Sequence, residues 1–268
     1  MSTLTISNLS AGYYNRKVLD NINLTINPKG ITGLLGANGC GKTTLIKALC
    51  GIIPHTGKIV LDDILISDMS TSSIARHISY VPQRSGITID ISVTDVVLMG
   101  FNPKLGLLSA PTRAMRDLSA AVIEQVGLAN LRDRNFLELS EGQKQLCILA
   151  RAFAADNGCM LLDEPESALD IPHRHRIMKL LSDWCLGADR TAVCVLHDPS
   201  LALNHCRDLV LLKDKGVSDI IHPFTDDLQH MEDALSKIYG NITLTECPDK
   251  KGRRHLVMLK EYDDETDS

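Results

Sequence analysis

The chain has 268 residues, 44% of them hydrophobic, and a formal net charge of −5 from 28 basic and 33 acidic residues. This length and composition suit one large globular domain, or one domain with an appendix, and exclude a disordered chain. The acidic excess is a poor match for a nucleic-acid backbone, which favours surfaces rich in Lys and Arg, so no nucleic-acid partner is expected.

Targeting signals are absent from the sequence pattern. No run approaches the roughly 18 to 20 apolar residues that cross a bilayer, and residues 1–8 lack the charged-then-apolar layout of a signal peptide. The expected location is therefore cytoplasmic, with any membrane role exercised through a partner. The eight cysteines include no C-x-x-C pair, which indicates reduced, mostly buried thiols rather than metal ligands.

The first third of the chain alternates β-rich runs with turns. Strands are predicted over residues 4–9, 18–26, 31–35, 58–61 and 78–81.

A phosphate-binding loop follows the third of these strands. Residues 36–43 fit the pattern G-x-x-x-x-G-K-[ST] at every fixed position, and a helix is predicted over 43–50. Glycines let the backbone wrap closely round an anion, and the positive end of the helix adds to the field. A Gly-rich turn that happens to carry a Lys is the alternative, but the flanking strand and helix disfavour it. The residues expected to hold a nucleoside triphosphate are Gly36, Asn38, Gly39, Cys40, Gly41, Lys42, Thr43 and Thr44.

The middle of the chain changes to helical spacing. Helices are predicted over residues 93–99, 112–126 and 141–155, with a loop over 100–111. Residues 86–156 are therefore expected to form a helical insert within an α/β core.

Strands and helices alternate in the last third. Strands over residues 160–162, 192–196 and 209–212 alternate with helices over 173–184 and 199–206, which implies right-handed crossovers and a parallel sheet. Beyond them, the sequence predicts a helix, two strands and an acidic, disordered tail, over residues 226–239, 242–246, 255–260 and 263–268.

Two carboxylates end the first of those strands. The apolar run Cys159-Met160-Leu161-Leu162 is followed by Asp163 and Glu164. A buried strand delivers its last side chains to the sheet edge where ligands bind, so Asp163 is a candidate magnesium ligand and Glu164 a candidate for polarising water. The alternative is a pair of acids in the first turn of a helix.

Between the loop and the acidic strand lies Leu139-Ser140-Glu141-Gly142-Gln143. Ser140 and Gln143 have the spacing of a helix capping box, which would be the whole explanation if the segment stood alone. In company with the other motifs, it resembles the Leu-Ser-Gly-Gly-Gln signature of the ATP-binding subunits of ABC transporters. The resemblance covers about residues 4–259 and rests on six motifs in the family's order.

The resemblance implies an α/β fold: a P-loop NTPase core, the ABC nucleotide-binding domain, with an N-terminal antiparallel β subdomain and an inserted helical subdomain. The ATP-binding domain is expected over residues 1–222, an α/β appendix over 223–262, and the acidic tail after it.

The resemblance also implies roles for single residues. Tyr13 is expected to stack on adenine, with Tyr14 as the alternative. Gln83 corresponds to a glutamine that contacts magnesium or water and faces the membrane partner, and His197 to the switch histidine near the terminal phosphate. Ser140, Gly142 and Gln143 correspond to the signature residues, which in this family bind the nucleotide held by the opposite copy. The loop that crosses the dimer interface corresponds to Ser167-Ala168-Leu169-Asp170.

Three residues depart from the family pattern. Cys40 replaces a Ser whose backbone does the binding, so little loss is expected. Glu141 replaces a signature Gly and must point away from the triphosphate or weaken its binding by repulsion. Glu166 stands where the family often has Thr.

The mechanism implied is that of an ATPase working as a head-to-tail homodimer with ATP and Mg²⁺ between the copies. Glu164 would orient or deprotonate water, and Lys42, Mg²⁺ and His197 would stabilise the transferring phosphoryl group, with Gln83 as a further catalytic residue. The partners expected are two integral-membrane permease subunits and, indirectly, an extracellular substrate-binding protein. The subunit would then lie on the cytoplasmic face of the membrane.

Several segments resemble the importer branch for iron–siderophores, haem and cobalamin. They are Ser92-Val93-Thr94-Asp95-Val96-Val97 with Gly100, Leu169-Asp170-Ile171-Pro172-His173, His197-Asp198-Pro199-Ser200-Leu201-Ala202-Leu203, and Ile238-Tyr239-Gly240 followed by a β-rich end. A ferric siderophore is the favoured cargo. Zinc or manganese importers share several of these segments, and a soluble iron–sulphur-assembly ATPase or a nucleotide-binding regulator without turnover are the remaining alternatives.

Overall fold

The structure, a computed structural model, describes residues 3–14, 16–106, 109–167 and 169–261. Its strands are β1 (Leu4–Tyr13), β2 (Arg16–Ile26), β3 (Gly30–Gly36), β4 (His55–Leu61), β5 (Ile64–Leu65), β6 (Ile78–Val81), β7 (Cys159–Asp163), β8 (Thr191–Val195), β9 (Asp208–Lys213), β10 (Gly216–Ile221), β11 (Ile242–Pro248) and β12 (Arg254–Lys260).

The α-helices within these ranges are α1 (Lys42–Leu49), α2 (Thr71–His77), α3 (Val93–Leu98), α4 (Arg113–Gln125), α5 (Glu141–Ala155), α6 (Ile171–Leu186), α7 (Pro199–His205) and α8 (Leu228–Tyr239). Short 3₁₀ helices cover Ile66–Asp68, Met99–Lys104, Ala129–Leu131 and Phe136–Glu138. No helix in the described part of the chain is both long and apolar enough to span a bilayer.

The largest sheet has the strand order β10-β9-β3-β8-β7-β6. Its strands are parallel except β10, which runs antiparallel to β9. Every residue of β7 and β8 is buried, as expected for parallel strands covered on both faces. In β8, Val195 pairs with Leu34 of β3 and with Asp163 of β7. The carboxyl ends of these three strands therefore meet at one edge, and the predicted parallel sheet is confirmed.

A second, antiparallel sheet has the order β2-β1-β4-β5. Its inner face shares one hydrophobic cluster with α1 and with one face of the parallel sheet, including Leu19, Ile22, Leu45 and Leu161. The hydrophobic face of this sheet thus fixes α1, and the loop that precedes α1, against the central strands.

The helices α3, α4 and α5 pack on one another in the larger of the two hydrophobic clusters, as the helical spacing predicts. The predicted loop over residues 100–111 is wrong at its start, where Met99–Lys104 is helical. Gly100 packs so closely on α5 that an added Cβ would lie 2.3 Å from the Arg151 carbonyl. The Lys104 ammonium also donates to the Ala155 carbonyl. This tertiary contact holds the turn helical despite Pro103.

The C-terminal elements are tied to the main core. Met231 and Leu235 of α8, and Leu244 of β11, belong to the larger hydrophobic cluster. Asn204 on α7 donates to the Leu256 carbonyl at 2.7 Å and accepts from the Leu256 amide at 2.9 Å. The division into a domain over 1–222 and an appendix over 223–262 stays a prediction. The predicted acidic tail lies outside the described residues.

Candidate active site

The loop between β3 and α1 has a backbone that depends on its glycines. Gly41 adopts φ 112° immediately before α1, and a Cβ there would lie 2.6 Å from Leu19 Cδ2. At Gly36 an added Cβ would lie 2.4 Å from the Leu212 carbonyl of β9. Only glycine fits both constraints, so the loop can lie close against β9 and the N-terminal sheet. No side chain of the described residues caps α1, which leaves its first amides for an anion.

A cleft of about 140 Å³ opens at this loop. Lys42 is only 5% exposed, and its Nζ donates to the Gly36 carbonyl at 2.7 Å and to the Ala37 carbonyl at 3.2 Å. A buried positive charge beside a helix N-terminus is a site for an anion. The cleft is lined by Val18, Asn38, Gly39, Gly41, Lys42, Thr43, Thr44, Glu164 and His197.

Thr43 and Asp163 meet beside the cleft. The Thr43 hydroxyl donates to Asp163 Oδ1 at 2.9 Å, although the two residues lie 120 positions apart. Burial raises the pKa of Asp163, and the hydrogen bond from Thr43 opposes that rise. A hydroxyl and a carboxylate are hard oxygen ligands of the kind that Mg²⁺ prefers. The donor set therefore fits a magnesium ion.

Glu164 is held by both of its carboxylate oxygens. Gln83 Nε2 donates to Oε2 at 2.5 Å, and His197 Nε2 lies 2.6 Å from Oε1. Glu164 also has a left-handed backbone, with φ 52°, which is strained for a residue with a side chain. The structure thus brings Gln83, Glu164 and His197 together, and Glu164 and His197 line the phosphate cleft.

A larger cavity of about 1110 Å³ adjoins the loop on its outer side. Tyr13 and Tyr14 both line it, with Tyr13 40% exposed and Tyr14 fully exposed. Val18, Asn38, Gly39 and Thr44 line both this cavity and the phosphate cleft, so the two spaces adjoin. The cavity can accept an aromatic base, and the choice between the two tyrosines stays open.

The sequence interpretation missed the opposite wall of this cavity. The wall is formed by the turn between β9 and β10, at residues 213–215, and by Ile238 of α8. Tyr239 follows, and burial raises its pKa to about 12, while a hydrogen bond from the Gly36 backbone opposes the rise. The Ile-Tyr-Gly segment was the only signal in the sequence, and it gave no indication of this contact.

The signature segment forms the predicted cap. Gln143 N donates to Ser140 Oγ at 3.3 Å, and Ser140 N donates to Gln143 Oε1 at 3.0 Å, at the start of α5. Glu141 turns outward to pair with Lys144 at 2.8 Å. Among the described residues that line the phosphate cleft and the larger cavity, none belongs to the signature. The nucleotide-binding roles of Ser140, Gly142 and Gln143 stay predictions.

The predicted interface loop, residues 167–170, and Cys40 were also singled out in the sequence. Ala168, in the predicted interface loop, lies outside the described residues, whereas Asp170 caps α6 by accepting from the His173 amide at 3.1 Å. Cys40 packs against the loop, because a Cβ added at Gly36 would lie 2.7 Å from its sulphur.

Comparison with known proteins identifies the family of this chain. The model of the ABC transporter family matches residues 19–167, more than half of the chain. A cobalamin import ATP-binding protein of Halobacterium salinarum is 31% identical over 92% of this chain, which spans 64% of that relative's length. The "Probable siderophore transport system ATP-binding protein" of Bacillus subtilis is 34% identical, over 81% of this chain and 79% of its own.

Among solved structures, an inward-facing ABC transporter described as of metal-chelate type has a chain with a TM-score of 0.81. It is 27% identical and covers 97% of this chain and 99% of its own. The predicted ABC nucleotide-binding fold is thereby confirmed. The phosphate loop, the acidic end of β7 and the signature segment all lie in this fold, and the family model matches more than half of the chain. The chain therefore belongs to the ABC transporter family, as an ATP-binding subunit.

Proposed function

We propose that this chain is the ATP-hydrolysing subunit of an importer that drives uptake of a metal chelate through membrane permease subunits. The observation that carries hydrolysis is the Glu164 carboxylate, held between Gln83 and His197 at the wall of the phosphate cleft. A carboxylate fixed by two partners is preorganised to orient a water molecule, which a freely rotating one is not.

Binding of the triphosphate would rest on the loop amides, the N-terminus of α1 and the Lys42 ammonium. Thr43 and Asp163 would hold Mg²⁺, which neutralises charge on the phosphate oxygens when it is bound. Tyr13 or Tyr14 would stack on the base in the larger cavity. Val18 would lie between the base and the phosphates, since it lines both spaces.

Hydrolysis needs a water directed at the terminal phosphorus. Glu164 would accept a hydrogen bond from that water and take its proton on a carboxylate oxygen as the new O–P bond forms. The bond between the terminal phosphorus and its bridging oxygen would break in the same step, with ADP as the leaving group and inorganic phosphate as the other product. Gln83 and His197 would keep the carboxylate oriented during this step, and His197 would add positive potential when protonated.

A second copy of the chain would complete each site. The signature segment lines neither nucleotide space of its own chain among the described residues, and it lies at the positive end of the α5 dipole. Two copies arranged head to tail would bring each Ser140 to the nucleotide of the other. ATP would then hold the dimer together, and hydrolysis would release it.

Permease subunits have a candidate docking groove. A groove of about 510 Å³ separates the sheet from the helical segment, and its lining includes Gln83, Leu137, Glu141 and Gln145. Gln83 thus links the groove to Glu164. Together with the name of the metal-chelate transporter that this chain resembles, this supports a peripheral position on the cytoplasmic face of the membrane, through two permease subunits and indirectly an external binding protein.

The proposed cargo is a ferric siderophore. The siderophore relative of Bacillus subtilis supports this choice. Haem, cobalamin, zinc and manganese are the competing cargoes, and the cobalamin relative of Halobacterium salinarum supports one of them.

The hydrolytic role is tested by Glu164→Gln in the full-length protein. Loss of a positioned general base costs about 10² to 10⁴ in rate, so turnover should nearly vanish while ATP still binds and dimers accumulate. Glu124→Gln, at an exposed position on α4, is the matched control and should retain full activity. Normal steady-state hydrolysis by Glu164→Gln would refute the assignment.

The cargo is tested with the assembled complex in vesicles. ATP-dependent uptake of a ferric siderophore, with no uptake of haem, cobalamin, zinc or manganese, is the expected result. Uptake of one of the others in place of the siderophore would overturn the cargo and leave the ATPase role intact.

A further inference from the structure

A buried acid lies behind the Glu164–His197 pair and takes no part in the mechanism above. Glu166 is 1% exposed and lies between β7 and α6. Its Oε1 accepts a hydrogen bond from the backbone N–H of His197 at 2.9 Å. Its Oε2 has no hydrogen-bond partner among the described residues.

Such a carboxyl group is costly to bury in either protonation state. Burial raises the pKa of Glu166, and hydrogen bonds from the backbone N–H groups of His197 and of Glu166 itself counteract this rise. After burial itself, the charge of Glu166 also raises the pKa of the Cys194 and Cys206 thiols, which places the acid among core side chains. An apolar side chain of similar volume would fill this space at less cost. The bond to His197 is thus the contact that distinguishes Glu166 from a packing residue.

The bond joins the two loops that carry the catalytic pair. Glu164 and Glu166 belong to one turn, in which Ser167 N donates to the Glu164 carbonyl at 3.2 Å. Leu169 N donates in turn to the Glu166 carbonyl at 3.1 Å. His197 comes from a different loop, after β8. The turn therefore holds His197 twice, by its ring through Glu164 and by its main chain through Glu166.

We propose that Glu166 is a positioning residue, which fixes the main chain of His197 and thereby keeps the imidazole aligned with Glu164. It is not among the residues that line the phosphate cleft, so it acts through His197 rather than on the nucleotide. The inference rests on the proposed ATPase function of this site.

The test compares two substitutions of similar volume in the full-length protein. Glu166→Gln keeps an oxygen acceptor for the His197 amide, whereas Glu166→Met fills the space without one. Misplacing a catalytic group by 1 Å can cost about 10²-fold, so Glu166→Met should lower kcat by at least about tenfold. KM for ATP should stay within about twofold, because the nucleotide contacts are unchanged. Glu166→Gln should keep most of the kcat.

Cys206→Ala is the control for a general effect of disturbing this part of the core. It should lower the melting temperature and leave kcat unchanged, since the bond from His197 to Glu166 remains. An unchanged kcat in Glu166→Met would overturn the proposal, and so would an equal loss in both Glu166 variants. If Glu166→Met does not fold, Glu166→Gln decides by itself. Retained kcat, with a His197 amide that exchanges as slowly as in the unmodified protein, supports the proposal, and loss of either overturns it.

The two proposals fail in different ways. An unmodified protein that hydrolyses no ATP in the assembled complex would remove the proposed function. An active protein that is indifferent to Glu166→Met would remove only the role of Glu166.

Discussion

At the scale of single residues, the hydrogen bond from the Thr43 hydroxyl to Asp163 can be removed by one substitution. The hydroxyl is the donor that offsets the burial of Asp163. Thr43→Val deletes that donor and one of the proposed magnesium ligands in a side chain of nearly the same shape. We expect the Mg²⁺ concentration for half-maximal ATPase activity to rise by about 10- to 100-fold, the range seen when groups that support a metal site are lost.

The measurement is a Mg²⁺ titration of the ATPase rate at fixed ATP. Thr43→Ser keeps the hydroxyl and should behave like the unmodified protein. A Thr43→Val protein with an unaltered Mg²⁺ requirement would show that the hydroxyl serves only the fold.

At the scale of elements, α6 and α7 are joined by a histidine pair, from which we predict a loss of stability in acid. His175 Nδ1 lies 3.0 Å from His205 Nε2, so one ring must donate and the other accept. Burial, and then the charges of His175 and His255, lower the pKa of His205 to about 4. The two helices therefore pack best when His205 is neutral.

The sign of the pH effect follows from the unfolded chain, in which a histidine titrates near 6.5. Between about pH 6.5 and 4 the unfolded state binds a proton that the folded state does not, so stability falls as the pH falls. His205→Asn removes this difference in proton binding between the unfolded and folded states. Thermal melts from pH 7.5 to 4.5 should therefore show a smaller fall in Tm for His205→Asn than for the unmodified protein. Parallel curves would exclude His205 as a source of the acid sensitivity.

At the scale of the whole molecule, the head-to-tail dimer can be tested by mixing two inactive proteins. Lys42→Ala disables the phosphate loop and Ser140→Arg disables the signature. If each site combines the loop of one copy with the signature of the other, a mixed dimer has one intact site. Random pairing in an equal mixture then restores about a quarter of the sites.

The readout is ATP hydrolysis by the mixture against each variant alone. Activity above both parents is expected. If the signature served its own chain, every site in the mixture would be defective and no activity would return.

The sequence predicts the parts of this molecule whose signals are local. The phosphate loop, the acidic end of β7 and the cap of α5 depend on residues within a few positions of one another. By contrast, the sequence does not predict α2, because this helix has one buried residue, Ile74, and so lacks a hydrophobic stripe. The helical turn Met99–Lys104 exists because of its contact with α5.

The sequence also did not predict contacts between distant segments. Glu166 meets His197 across 31 positions and the edge of a sheet, and Tyr239 approaches Gly36 from the far end of the chain. Nothing in the spacing of these residues predicts these contacts, because each contact exists only once the fold has brought the two elements together. These elements are β7 and β8 for Glu166 and His197, and β3 and α8 for Gly36 and Tyr239.

The two carbonyl bonds of Lys42 bear on how tightly a phosphate can be captured. An ammonium has three N–H donors, and the loop occupies two of them. Immobilising the four-carbon stem of a lysine usually costs about 2 kcal/mol of rotamer entropy. In this protein the rotamer entropy of Lys42 is lost when the chain folds and not when an anion binds. The anion therefore binds to an ammonium group whose position is already fixed.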